Sequence, residues 1–135
     1  MMRPDAEGRP VILVVEDERA VRSLLQAPLC GLGYDVLAAA GGAEAVDLYR
    51  LAGGRVGLVL LDVRMPGLDG VGTLDALRAL DPAVNCLFMS GNTEPYTESH
   101  LARRSGRGLL RKPFRREQLA VAVRAALGGR GVPGP

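Results

Sequence analysis

The decisive stretch is Gly57-Leu58-Val59-Leu60-Leu61-Asp62-Val63-Arg64-Met65-Pro66-Gly67-Leu68-Asp69-Gly70. Residues 57–61 form an apolar run of strand length, with no polar side chain to turn toward water. A strand that is apolar on both sides of its pleat needs cover on both faces, as strands of a parallel sheet have. The run gives way to a carboxylate, Asp62.

Outward from it come four more runs of about strand length, Val11–Val15, Asp35–Ala39, 84–89 and 108–110, and three of the five are nearly continuous in Val, Leu and Ile. Helical patterns fill the gaps. Val21, Leu24, Leu25 and Leu29 recur at helical spacing, as do Ala45, Val46 and Tyr49. Leu119, Ala122, Val123, Ala126 and Leu127 make one stripe, and Gly128 and Gly129 are expected to stop that helix. The stretch 94–103 carries the faintest helical pattern. Pro28 falls on the apolar face of the first helix and is expected to kink or shorten its last turn.

Five strands alternating with five helices predict an α/β fold, a doubly wound parallel sheet with helices on both faces. Right-handed crossovers restrict the topology, and the order 2-1-3-4-5 is the expected one, although periodicity alone does not deliver it. The folded domain is expected over 10–128, after a flexible arm at 1–9 and before a flexible tail at 129–135.

Composition narrows the function. The chain has 135 residues, the size of one domain, and 47% of them are hydrophobic. There is no Trp and only 4% aromatics, so aliphatic side chains and Ala must fill the core. A net charge of +2 is too near balance to argue for nucleic acid. His100 is the only histidine, which leaves no pair for a histidine metal site or a Ser-His-Asp triad. No glycine-rich nucleotide loop is present. Cys30 and Cys86 lack ligand spacing and read as reduced thiols. Val11–Val15 is too short for a signal core or a membrane span, so a cytoplasmic location is expected.

In an open parallel sheet the site lies outside the carboxyl ends of the strands. After the first run come Glu16, Asp17 and Glu18; after the third, Asp62; after the fourth, Ser90, Gly91 and Asn92; after the fifth, Arg111, Lys112 and Pro113. Taken singly, Asp62 reads as a cap or a solvated turn, Ser90 as a cap and Lys112 as a surface lysine. The acidic triplet reads as helix N-terminal charge. Together they gather carboxylates, a hydroxyl and an ammonium on one edge. Glu16, Asp17 and Asp62 brought close repel one another, and a hard divalent cation resolves the conflict. Mg²⁺ suits such a site, because it keeps waters and uses carboxylates together with a phosphate oxygen. A carboxylate can then act as nucleophile toward a phosphoryl group.

These residues resemble the receiver domains of bacterial response regulators. The matching motifs are Val14-Val15-Glu16-Asp17-Glu18, the segment from Leu60 to Gly70, Met89-Ser90-Gly91 and Lys112-Pro113-Phe114. The resemblance implies a flavodoxin-like fold with order 2-1-3-4-5 and a signalling phosphoacceptor rather than an enzyme on another substrate. It implies Asp62 as phosphoacceptor and Asp17 as direct Mg²⁺ ligand. Glu16 would act through water, and the backbone carbonyl of Arg64 would complete the protein's share of the metal shell. Ser90 would turn to the phosphoryl group and Lys112 would pair with it, ahead of a cis peptide bond to Pro113. The implied donor is a sensor histidine kinase or phosphotransfer protein, and the implied output is a downstream protein. The face of the fourth helix, fifth strand and fifth helix is a candidate surface for that partner or for a homodimer.

Some positions depart from the family. Leu109 stands where the family often has an aromatic that helps report phosphorylation. Arg64 and Asn92 occupy positions that tune phosphoryl lifetime. From Arg103 to Arg116 there are seven basic residues and no acidic one, which suits an acidic partner or a solvated edge. An aspartyl-nucleophile phosphatase would want an Asp two residues after Asp62, where Arg64 stands. A module on this fold that works without phosphorylation would be marked by loss of an acid, the acceptor or the lysine, and none is lost.

Overall fold

In the computed structural model, which describes residues 9–128, strands and helices alternate along the chain. The elements are β1 (Val11–Val15), α1 (Arg19–Gly31), β2 (Asp35–Ala39), α2 (Gly42–Ala52), β3 (Val56–Asp62), α3 (Gly70–Leu80), β4 (Cys86–Ser90), α4 (Glu98–Ser105), β5 (Leu109–Arg111) and α5 (Arg116–Gly128). A single-turn 3₁₀ segment, Gly53–Arg55, links α2 to β3. The five strands form one parallel sheet in the order β2-β1-β3-β4-β5, as expected.

Strand alternation divides the core into two layers. Leu13, Val15, Val59, Leu61 and Phe88 join Ala45, Leu74, Leu77 and Leu101, the layer under α2, α3 and α4. Ile12, Val14, Leu58, Leu60 and Met89 join Leu25, Leu29, Leu119, Val123 and Leu127, the layer under α1 and α5. The central strands are buried save at Gly57, which is why their sequence is apolar up to the terminal Asp62 and Ser90.

Several local expectations are corrected. β3 and β4 run on to include Asp62 and Ser90, and β5 begins at Leu109 and includes Arg111. The ladder, rather than hydrophobicity, sets these ends. α4 starts at Glu98, because Glu94-Pro95 occupies a turn and the Thr97 hydroxyl caps the helix by accepting from His100 N at 3.0 Å. Gly106, at φ 76°, closes α4 in the left-handed region. Leu24 is 73% exposed, one step off the buried pair Leu25 and Leu29. Pro28 does not shorten α1, which continues to Gly31 with Leu32 N donating to Pro28 O at 3.0 Å. Its ring removes only the donor to the carbonyl of Leu24, on an exposed turn where water can serve.

Gly128 is the last residue of α5 among the described residues. The expected arm over 1–9 (save Arg9), Gly129 and the tail lie outside the described residues. Cys30 is exposed, Cys86 is buried in β4, and both are free thiols. Among the described residues no helix is long and apolar enough to cross a membrane.

Candidate functional site

Register delivers the site. Val15 pairs with Leu61, Asp62 with Met89, and Ser90 with Arg111, so the carboxyl ends of β1, β3, β4 and β5 finish at one level. The ladder continues past the strand ends. Glu16 N donates to Ala39 O at 3.1 Å, Val63 N to Met89 O at 3.1 Å, and Lys112 N to Ser90 O at 2.9 Å. The residues carrying Glu16, Asp62, Ser90 and Lys112 are therefore fixed by backbone bonds.

Glu16, Asp17 and Asp62 each offer a carboxylate oxygen within 4.8 Å of the others. Glu16 is fully buried, Asp62 nearly so, and Asp17 half-buried. The Lys112 ammonium Nζ donates to Glu16 Oε1 at 2.6 Å and stands 3.5 Å from Asp62 Oδ1. The other Glu16 oxygen accepts from Glu18 N at 3.1 Å. The nearest carboxylate to the Lys112 ammonium is thus that of Glu16.

Charge crowding and burial act on Asp62. Burial pushes the Asp62 carboxyl up, Lys112 draws it down, and Glu16 and Asp17 push it up again; the balance lies at about 6. Burial works against the Lys112 ammonium, but its hydrogen bond to Glu16 and the charges of Asp62 and Glu16 outweigh that and hold it above its ordinary value. Three carboxylates against one ammonium leave a net negative, oxygen-lined pocket. That is the donor set a hard divalent cation takes.

Ser90 is 2% exposed, and its Oγ accepts from Asn92 N at 3.0 Å. Arg64 lies exposed in the loop after Asp62, beside a cavity of about 450 Å³ shared with Asp69, Glu94 and Tyr96. Lys112-Pro113 is a cis peptide bond, as the resemblance implies.

Three residues build the scaffold behind the site through contacts that no local pattern predicts. Arg22 donates from α1 to Glu16 O at 2.8 Å and Asp17 O at 3.3 Å, which holds the acidic loop from behind. Asp69 caps α3 by accepting from Gly72 N at 2.9 Å, and accepts from the Tyr96 hydroxyl at 2.7 Å. Tyr96 in turn stacks on His100 with ring centroids 5.6 Å apart. An Asp before a helix favours a cap, but nothing in the local pattern pairs Arg22 with the Glu16 and Asp17 carbonyls or Tyr96 with Asp69.

Beside the site, an apolar groove of about 940 Å³ runs between α1 and the loop from β5 to α5. Val21, Leu24, Pro28, Phe114 and Leu119 line it, and Lys112 stands at its site end.

A family model described as the response regulator receiver domain matches residues 12–124. The sensor kinase CckA of Brucella abortus (strain 2308) is 39% identical over 123 residues, covering 91% of this chain and 13% of that protein. The transcriptional regulatory protein ZraR of Escherichia coli O157:H7 is 37% identical over 117 residues, covering 86% of this chain and 26% of that protein. The chain thus matches a minor part of each of these relatives' lengths. The Vibrio cholerae chemotaxis protein CheY4 superposes with a TM-score of 0.80 at 26% identity, covering 89% of this chain and 100% of that one. A receiver domain protein from Clostridium thermocellum superposes with a TM-score of 0.83 at 22% identity, covering 90% and 96%, a likeness of fold.

Proposed function

The chain belongs to the response regulator receiver domains of two-component signalling, and from that premise we propose that Asp62 accepts a phosphoryl group in a Mg²⁺-dependent reaction. The observation that carries this is the joint placement of Glu16, Asp17 and Asp62 within 4.8 Å of one another, with Lys112 against two of them. The donor is a phosphohistidine on a sensor kinase or phosphotransfer protein. An Asp62 oxygen attacks phosphorus in line, the phosphorus–nitrogen bond breaks, and the imidazole leaves with a proton from solvent. With its carboxyl near 6, Asp62 is largely ionised at neutral pH and more basic than an ordinary aspartate.

Mg²⁺ held by Asp17, Asp62 and the Arg64 carbonyl, with Glu16 acting through water, would supply neutralisation of the phosphoryl charge. Lys112 screens the same charge from the other side. Ser90, released from Asn92 N, donates its hydroxyl to a phosphoryl oxygen. The protein acts as a signalling phosphoacceptor that assists its own phosphorylation and dephosphorylation, rather than as an enzyme on a separate substrate. The apolar groove favours a helical donor whose nonpolar side chains cover Leu24 and Phe114, which brings its phosphohistidine to Lys112 and Asp62.

Recruitment of Ser90 and Lys112 tightens the ends of β4 and β5 and shifts the face of α4, β5 and α5 between two states. Leu109 packs against the layer under α4, as Tyr96 does, and has no hydroxyl to report the change. The output shift at β5 is therefore small, and the loop carrying Tyr96 moves more.

The test is intact mass after incubation with Mg²⁺ and a small acyl phosphate, then with a purified phosphohistidine donor. One added phosphoryl group on the wild type and none on Asp62→Asn is expected. Equal labelling of both, or none on the wild type with either donor, overturns the assignment.

A further inference from the structure

The basic segment 103–116 places a cation at each end of the apolar groove beside α1. Lys112 stands at the site end, with Nζ 2.6 Å from Glu16 Oε1 and 3.5 Å from Asp62 Oδ1. Arg116 lines the groove as well, and its guanidinium lies over Gly31, the last residue of α1. A Cβ at Gly31 would stand 3.1 Å from that guanidinium, so the glycine leaves room for it. Between the two cations run Val21, Leu24, Pro28, Phe114 and Leu119, and no carboxylate lines the groove among the described residues.

The groove is an open apolar surface rather than a packed one. Leu24 is 73% exposed on its wall, while Leu25, one step on, is buried. Ala27 and Gly91 add little bulk to it. Such a wall gains by being covered, because apolar surface leaves water. Val21 to Pro28 is about 10 Å of helix, enough to lie beside an extended chain of several carbons. A hollow of about 940 Å³ is also of the size that small ligands fill.

Lys112 belongs to both the groove and the acidic site. A phosphoryl group brought to Asp62 meets its ammonium, and the group that leaves phosphorus lies on the side away from the attacking oxygen. An aliphatic leaving group that turns along α1 covers Leu24 and Phe114 while the phosphoryl end stays with Lys112. We propose that the groove is a leaving-group subsite, through which this chain selects among small organic phosphates and favours acyl phosphates with a longer aliphatic chain. The proposal rests on the reading of Asp62 as phosphoacceptor and names the class of small donor that suits it. In the step, an Asp62 oxygen forms a bond to phosphorus and the bond from phosphorus to the acyl oxygen breaks. The carboxylate leaves with the electron pair and needs no proton.

The test compares acetyl, butyryl and hexanoyl phosphate, whose carboxylates are leaving groups of nearly equal quality. Labelling of the full chain in Mg²⁺ is followed by intact mass at low donor concentration. A methylene taken fully out of water is worth about fourfold in binding, and one half covered by an open groove about twofold. Hexanoyl phosphate should therefore label about tenfold or more faster than acetyl phosphate. Leu24→Gln and Ala27→Gln change exposed positions of α1 and keep a good helix former there. Each should lower the hexanoyl-to-acetyl ratio about threefold or more, and a ratio within one variant does not depend on the fraction folded. Hexylphosphonate, which cannot transfer its phosphoryl group, gives a readout without reaction. Without Mg²⁺ it should shift the magnetic resonance signals of Val21, Leu24 and Phe114 in the wild type and in Asp62→Asn, and methylphosphonate should not.

Equal rates for the three donors, an unchanged ratio in both variants, or shifts that are absent or alike for the two phosphonates would each overturn the subsite and leave Asp62 as acceptor. No labelling of the wild type by any of the three overturns the subsite too, and the reading of Asp62 then stands or falls on the phosphohistidine donor.

Discussion

Lys112 and Glu16 lie 96 positions apart, yet the ammonium Nζ donates to Glu16 Oε1 at 2.6 Å, nearer than its 3.5 Å approach to Asp62. Glu16 is fully buried, so this bond is its main compensation for lost water. Removing Lys112 leaves a buried carboxylate with one backbone donor. Lys112→Ala is expected to cost about 3 kcal/mol in metal-free buffer at neutral pH. Glu16→Gln in that background should restore part of the loss. Urea unfolding of the two variants and the double variant measures this, and simple additivity of the two changes would show the pair is not coupled.

Asp62 sets a pH dependence. Its carboxyl is held at about 6, above its ordinary 3.8, so the folded state binds its proton more tightly than the unfolded state does. That contribution to stability is complete below about pH 4 and is lost as pH rises through about 6. Asp62→Asn should therefore match the wild type in acid and exceed it by up to about 3 kcal/mol above pH 6, without metal. Thermal melts of both proteins across this window test it; a gap that shrinks with rising pH would contradict the sign.

Mg²⁺ should reverse that penalty. At neutral pH the metal is expected to raise the melting temperature of the wild type more than that of Asp62→Asn. Asp17→Asn should weaken binding about tenfold or more, since the charge count of the ligand set falls. Calorimetric titration with Mg²⁺ gives the affinities directly, and an unchanged affinity in Asp17→Asn would remove Asp17 from the metal shell.

Gly70 carries a steric demand rather than an electrostatic one. A Cβ there would lie 2.5 Å from Asp62 O and 2.7 Å from Val63 Cα. Both are backbone, so neither can swing aside. Gly70→Ala should lower stability by about 2 kcal/mol or more and disturb the loop after Asp62. Unfolding midpoints together with phosphoryl labelling report both effects, and a midpoint equal to the wild type would mean that α3 shifts freely.

Tyr96 ties the loop after β4 to Asp69 at the start of α3 by a 2.7 Å bond. Beryllofluoride with Mg²⁺ should shift the magnetic resonance signals of Tyr96 and His100 more than that of Leu109. Tyr96→Phe should reduce the shift at His100 while leaving phosphoryl labelling in place. Superimposable spectra with and without the adduct at these three residues would rule out a switch on this face.

Much of this protein follows from local pattern. Apolar runs of strand length between helical stripes determined the α/β alternation, because burial on two faces forbids polar residues along a central strand. The position of Glu16, Asp17, Asp62, Ser90 and Lys112 just after or at the end of those runs determined that one sheet edge would gather these polar groups. Strand ends, the start of α4 and the exposure of Leu24 were decided by the ladder, a cap and the rotation of one helix about its axis. Only the tertiary structure decided that Lys112 meets Glu16 first, that Tyr96 meets Asp69 and that Asn85 holds Arg107. Periodicity encodes which face of an element is covered. Which polar atom answers which, across dozens of residues, depends on the strand register and on the few places where water is excluded and every donor must find an acceptor.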